Sequence, residues 1–294
     1  MQNSHIAIAT GHHGELVQGA FTLSDGRVTH GLVTLPYAEA WTIAYARRAS
    51  HHGLLVRPEG RPKTLEALSI IKQRYGLDDD GIVIDLMSNI PTGFGLGSST
   101  TDIVAASRAF SGLLGIRLKK KELFQLAVSA ESASDGTMFG QKARLVAHRE
   151  GYVIERFSRP LPRFALISIN VDPGSPVNTN EMKRPAYSEV EIKEFDTLRK
   201  RLRTAIDKQD LVETGYVATR SAIINQRYLP QPHFAKIVET GEKHNMVGIQ
   251  VAHSGRVVGV MLRPETRSKD VAALMETLKS IGLNTQFISA ELLF

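Results

Sequence analysis

Hydrophobic and polar positions repeat with two different periods along the chain, and each change of period marks an element. Residues 5–10, 15–21, 28–34 and 41–45 alternate with the two-residue rhythm of strands, with Gly11, Gly14, Gly26 and Gly31 supplying the breaks. Residues 64–75 place Leu65, Leu68, Ile71 and Tyr75 on one helical stripe that stops at Gly76. Residues 81–89 return to alternation, with Ile82, Ile84 and Leu86 facing one way, and run into a glycine-rich stretch. Behind that stretch Ile103, Ala106, Phe110 and Leu113 recur at helical spacing up to Gly115. A second helix follows, with Leu123, Leu126 and Ala130 inward.

Past Gly151 the pattern predicts strands over 152–157 and 164–171, then polar helices over 189–208, 210–226 and 233–243. Residues 249–252, 256–262, 268–280 and 286–290 close the chain as ββαβ, the end of a ferredoxin-like split βαβ unit. The fold class expected is α+β in two lobes, divided softly at 1–160 and 161–294, since no repeat and no low-complexity linker separates them.

Composition narrows the chemistry. The 294 residues are 42% hydrophobic and 22% charged, which suffices for a real core. There is no cysteine, which removes disulfides, thiolate zinc, iron–sulfur clusters and a thiol nucleophile; any metal must sit on oxygen or imidazole. No basic segment followed by an apolar core opens the chain, and no uncharged run approaches the roughly 18 residues a bilayer span needs, so a cytoplasmic protein without a membrane partner is expected. The net charge of +6 raises nucleic acid as a partner. The dense runs, Lys119-Lys120-Lys121 and Arg199-Lys200-Arg201, lack the interleaved aromatics of a single-strand binder, so no nucleic acid is expected; the surplus suits an anionic nucleotide.

The candidate chemistry centres on Gly93-Phe94-Gly95-Leu96-Gly97-Ser98-Ser99. Its glycines remove Cβ atoms where backbone must approach a ligand, and its position at a helix start offers free amides and a dipole to a di- or triphosphate. The hydroxyls of Ser98, Ser99 and Thr100 can donate to phosphate or help hold a metal. No Gly-x4-Gly-Lys-Ser/Thr occurs, which excludes a P-loop. Glu131 and Asp135 lie four apart just after a helix, with small residues between them that leave room for a ligand; a solvated helix end is the other reading. Asp102, in the first turn behind the loop, is costly beside a polyphosphate and suits a substrate ammonium or, equally, helix-start capping. His12 and His13 point to opposite faces of an extended segment and do not share one ion with Glu15. His253 is a lone imidazole in a turn.

Pro91-x3-Gly95-Leu96-Gly97-Ser98-Ser99 resembles the second motif of the GHMP kinases, and residues 248–255 fall where that superfamily carries a third motif that packs beside the phosphate loop. The opening Gly11-His12-His13-Gly14-Glu15-Leu16-Val17-Gln18-Gly19, followed by Leu32-Val33-Thr34-Leu35-Pro36, resembles the L-threonine kinase branch of cobalamin side-chain synthesis. The superfamily's usual Pro-Gly-Lys is replaced by Thr10-Gly11-His12. The resemblance implies a two-lobed fold, an N-terminal domain like that of a ribosomal protein and a ferredoxin-like C-terminal one. It implies ATP on Pro91, Gly93, Gly95, Leu96, Gly97, Ser98, Ser99 and Thr100, and Mg2+ on Glu131 and Ser99. Asp135, Glu131 and Ser98 would be catalytic, with Asp135 the candidate base, and Gly14, Glu15, Asp102, Thr179 and Ser254 would meet an amino-acid substrate, L-threonine first, with homoserine, serine or a sugar as other acceptors. Arg184, Arg220 and Arg256 are the candidate carboxylate clamps. A homodimer stays open, and a nucleotide-binding sensor and a nucleic-acid-binding protein are the competing classes.

Overall fold

The computed structural model describes residues 3–78, 81–174 and 184–293. The four short strands expected at the start merge into two long ones, β1 (Ser4–Thr22) and β2 (Val28–Arg48), paired antiparallel along their whole length. Only Gly26, at φ +81°, turns the chain, and the Leu23 N–H closes that turn on the Arg27 carbonyl at 2.8 Å. Gly11, Gly14 and Gly31 do not break the strands. Near the first two the pairing slips, between Thr10 and Gly11 and again between His12 and Val17, because a ladder absorbs extra residues as bulges while alternation resumes on either side.

β3 (Leu54–Arg57) lies parallel to β4 (Ile82–Ser88), and β4 is antiparallel to β2. Three helices cover this part: α1 (Pro62–Tyr75), α2 (Ser98–Leu113) and α3 (Lys120–Glu131). Their core joins Ala44, Leu68, Ile71, Ile84, Ile103, Phe110 and Phe124. On α1 the buried stripe is Thr64, Ala67, Leu68 and Ile71, whereas Leu65 and Tyr75 are exposed: the small residues let α1 lie close to α2, and the bulkier expected ones flank the contact. Gly76 ends the helix in the left-handed conformation, as its type predicts.

β5 (Arg144–Ala147) and β6 (Tyr152–Arg156) form a hairpin that leans on β2 through Leu32 and Val146. Then come β7 (Ala165–Asn170), α4 (Glu189–Lys208), α5 (Leu211–Asn225), α6 (Phe234–Lys243), β8 (Gly248–Val251), β9 (Val257–Leu262), α7 (Ser268–Ser280), β10 (Asn284–Ile288) and the short α8 (Ala290–Leu293). The strand order β10-β7-β9-β8 is that of a ferredoxin-like split βαβ unit, with α4 to α6 inserted before its second strand. The sheet continues from β8 into β1 through the pairing of Glu15 with Val251, then on to β2, β4 and β3.

Ser188 begins α4 with a capping box, its hydroxyl accepting from the Glu191 N–H while the Glu191 carboxylate accepts from the Ser188 N–H. α4 and α5 share a core with Leu16, Phe21, Val33 and Phe164, in which Phe195 lies across Gly19 of β1. A Cβ on Gly19 would come 2.4 Å from the Phe195 ring, and Phe195 has no solvent-facing side to retreat to. Gly19→Ala should therefore destabilise the fold by about 1–3 kcal/mol, the usual cost of overpacking. A thermal melt checks it: a melting temperature equal to that of the unchanged chain would mean that α4 does not rest on β1 as described.

Candidate active site

β4 ends at Ser88, and the chain then makes a tight passage to Ser98, the first residue of α2. Gly93, Gly95 and Gly97 all take left-handed φ values, +86°, +83° and +76°, which side-chain-bearing residues rarely adopt. Gly97 caps α2 without any side-chain hydrogen bond to the first-turn amides. Those donors and the positive end of the dipole therefore face the cleft in front of the loop. The cleft has a volume of about 300 Å³ and is lined by Gly93, Gly95, Gly97, Ser98 to Thr100, Glu131 to Asp135, His148, Arg149, His253, Ser254 and Lys63.

The loop is gripped from two sides. Beneath it the His12 N–H donates to the Leu96 carbonyl at 3.2 Å, and a Cβ on Gly11 would come 2.6 Å from that oxygen. Beside it the turn after β8 packs directly on backbone: a Cβ on Gly255 would meet the Phe94 carbonyl oxygen at 2.2 Å, and one on Gly95 would meet the Ala252 Cβ at 2.7 Å. Residues 252–255 thus lie against the glycine loop, the place expected of a third motif.

Three titratable groups meet under the loop. Asp135 accepts from His12 Nε2 at 2.8 Å, and Glu15 Oε1 is 3.6 Å from His12 Nδ1. Nε2 carries the hydrogen given to Asp135, and Nδ1 lies 3.1 Å from the Gly14 amide nitrogen. Burial alone would lower the His12 pKa, but the charge of Asp135 and its hydrogen bond outweigh it and raise it to about 9. Burial alone would likewise raise Asp135; the His12 charge and hydrogen bond win and hold it below the usual carboxylate range. Glu15, fully buried behind the pair, is pushed well up by desolvation and is the neutral member of the trio.

Glu131, at the end of α3, behaves differently. Burial raises its pKa to about 7, against the hydroxyls of Thr100 and Ser99, which favour the ionised form; Thr100 Oγ1 donates to Glu131 Oε1 at 2.6 Å. His253 Nδ1 lies 2.6 Å from Gln18 Oε1 and its ring stands edge-on to His148 at 4.7 Å. Burial keeps both imidazoles neutral, lowering His253 to about 4 and His148 well below its ordinary value.

Of the residues singled out in the sequence, Gly93, Gly95, Gly97, Ser98, Ser99, Thr100, Glu131, Asp135 and Ser254 line one cleft. Leu96 packs into the core under the loop, and Pro91 is exposed at its entrance. Gly14 and Glu15 lie in the β1 bulge behind His12, where a Cβ on Gly14 would come 2.2 Å from Gln250 Oε1. Asp102 is buried away from the cleft, accepting from Thr42 Oγ1 at 2.8 Å and paired with Arg61 at 3.2 Å. Thr179 lies outside the described residues. His12 and His13 do face opposite ways, His13 Nε2 being 2.7 Å from Ser168 Oγ. Arg184 is paired with Glu150 and Arg220 with Glu194, while Arg256 donates to the Pro230 carbonyl; none of the three lines the cleft. Lys63, His148 and Arg149, which do line it, carry no local signal: Lys63 lies in the first turn of a helix and the other two in a hairpin turn, places where polar residues are ordinarily solvated.

At Gly97 an added Cβ would sit 2.4 Å from His12 Cδ2 and 3.3 Å from Asp135 Oδ2, in a backbone conformation strained for any side chain. The obstacle is the His12–Asp135 pair itself, before any phosphate is reached. Gly97→Ala should thus lower turnover and ATP affinity each by tenfold or more, on the order of the 1–3 kcal/mol of strain and overpacking involved. Calorimetric ATP titration of a variant with normal circular dichroism decides it, and unchanged affinity would remove the loop from nucleotide binding.

Comparison with known proteins agrees with this geometry. Residues 63–140, from α1 through the Asp135 segment, match the GHMP kinases N terminal domain. The chain is 33% identical over 285 residues to an L-threonine kinase of Salmonella typhimurium, covering 95% of this chain and 89% of that one. It is 31% identical to an L-threonine kinase of Citrobacter freundii over 69% and 70% of the two chains. A homoserine kinase structure from Cytophaga hutchinsonii superposes with a TM-score of 0.72 at 15% identity, covering 98% and 94%. The mevalonate kinase of L. major in complex with R-mevalonate gives 0.67 at 16% identity, covering 98% and 96%. With its glycine loop, its gripping turn and a full-length relative above 30% identity, the chain belongs to the GHMP kinases, enzymes that use ATP to phosphorylate small molecules.

Proposed function

We propose that this chain phosphorylates the hydroxyl of free L-threonine, giving O-phospho-L-threonine and ADP. The observation that carries the chemistry is the ionised Asp135 held by His12 at 2.8 Å in the wall of the same cleft as the amides of Gly97 to Thr100. The acceptor rests on the near full-length likeness to an L-threonine kinase. Homoserine is the second acceptor to weigh, because homoserine kinases of Clostridium botulinum are 28–29% identical over about 70% of this chain.

In this reading the loop amides hold the β- and γ-phosphates, and Asp135 takes the proton from the threonine hydroxyl as its oxygen bonds to the γ-phosphorus and ADP departs. His12 keeps Asp135 deprotonated and aimed. Glu131 and the hydroxyls of Ser98, Ser99 and Thr100 form a set of hard oxygen donors in a chain without cysteine, which fits magnesium; Glu131 and Ser99 would hold it. When bound, the ion supplies charge neutralisation on the phosphates.

ADP release with Mg-ATP, measured against L-threonine, L-serine, L-homoserine, galactose and no acceptor, is the direct test. Threonine should give a kcat/KM at least tenfold above the others. A preference for homoserine would move the chain to that substrate, and release independent of any acceptor would end the amino-acid reading.

The two shifted groups also fix a pH profile. Glu131 is protonated below about 7 and then cannot serve as an anionic ligand, so kcat/KM for ATP should rise as pH passes through 7. His12 loses its second proton near 9, Asp135 loses its counter-charge, and activity should fall above that point. Glu131→Gln should abolish the acid limb while leaving the basic one. An acid limb that persists near 7 in the folded variant would assign it to another group.

A further inference from the structure

Amino-acid recognition requires a cation for the acceptor's carboxylate, and the three arginines that the sequence offered are occupied elsewhere, by Glu150, Glu194 and the Pro230 carbonyl. Two other cations line the cleft. Lys63 stands on the side of Glu131, whose ionised form it favours, and so belongs with the phosphates. Arg149, at the β5–β6 turn, makes no ion pair among the described residues, and its buried Nε has no hydrogen-bond partner. A half-buried guanidinium in a cleft wall, with its Nε out of water and unpartnered, is suited to a ligand, since leaving such a donor unmet costs free energy.

A second orphan stands beside it. His148 is 3% exposed, lines the same cleft, and its Nδ1 also lacks a partner. Its backbone carbonyl accepts the Ser134 N–H at 2.8 Å, which fixes the β5–β6 turn against the segment that carries Asp135. His253 stands edge-on to His148, and the opposite charges of Asp135 and Arg149, which line the same cleft, both reach its imidazole. In a β-hydroxy amino acid the hydroxyl-bearing carbon is one carbon removed from the carbon that carries the carboxylate, so a hydroxyl at Asp135 brings the carboxylate to the neighbouring stretch of wall.

We propose that Arg149, with His148 beside it, forms the subsite for the acceptor's α-carboxylate, the guanidinium bonding it in the forked geometry arginine favours. This rests on the amino-acid kinase reading. It assigns specificity for a free carboxylate to the β5–β6 turn, apart from the loop that holds ATP. Neutral His148 supplies a hydrogen bond without competing for the charge.

The test compares Arg149→Met with the unchanged enzyme on L-threonine and on the neutral L-threoninamide. The KM for L-threonine should rise roughly 10- to 100-fold, the loss expected of a hydrogen-bonded charge. The KM for ATP and the kinetics on the amide should change by less than about threefold, below the scale of one such bond. Equal losses on both acceptors, or a raised KM for ATP, would overturn the proposal, the latter by making a nucleotide phosphate the anion. Should Arg149→Met not fold, Arg149→Lys, which keeps the charge and loses the fork, must show the same acceptor-selective rise. Should the unchanged enzyme turn over no hydroxy amino acid, the amino-acid acceptor reading fails by itself and calorimetric titration with L-threonine decides the subsite. Binding that disappears in the variant upholds it; binding absent from the unchanged protein, or retained in the variant, ends it.

Discussion

The contact between His12 and Asp135 is the interaction around which the rest of the site is arranged. It joins the bulged middle of β1 to the segment that follows α3, under the loop and largely out of water. Removing one member of a buried, hydrogen-bonded pair costs about 3–5 kcal/mol, because the other charge is left unpaired. That cost accounts for several neighbours. Position 97 must be glycine since any Cβ would strike the imidazole, the β1 bulge is what turns His12 toward Asp135, and Glu15, buried behind the pair, stays neutral because burial penalises its charge.

Around that pair, two carboxylates four residues apart are driven in opposite directions. Asp135 has a cation in direct contact and remains ionised; Glu131 has only hydroxyls close by and Lys63 farther off, so burial raises it to about 7. Environments that separate the titrations of two like groups separate their work. A carboxylate ionised at any working pH can accept a proton from an alcohol, while one poised near neutrality gains most from a cation arriving with the nucleotide, which would complete its ionisation.

The glycine loop was legible from sequence because everything it needs is local: φ values only glycine supplies, a helix beginning at once, hydroxyls in its first turn. The closing ββαβ unit was legible for the same reason, its periods being uninterrupted. The opening strands were misjudged because a bulge and a break look alike in sequence; both place glycine between alternating runs. Leu65 and Tyr75 were assigned inward by spacing alone, whereas the close contact of α1 with α2 selects the small Thr64 and Ala67. His12, His148 and Arg149 were beyond local reading. His12 acquires meaning only from a carboxylate far along the chain, and Arg149 only from lacking one.

Where the resemblance leads one to expect Pro-Gly-Lys, this chain has Thr10-Gly11-His12, and the bulge at Gly14 brings the short, planar His12 next to Asp135, so that the cation in contact with that carboxylate is an imidazole and not an ammonium. The exchange has a consequence that lysine would not bring. An ammonium stays charged across the working range, whereas the imidazole depends on Asp135 for its raised pKa. The charge beside the candidate base is thereby set by the candidate base itself, each member of the pair holding the other ionised. Glu15, protonated behind the pair, sits in the strand that pairs with Val251 of β8, so the link that makes the sheet continuous also fixes the wall behind His12.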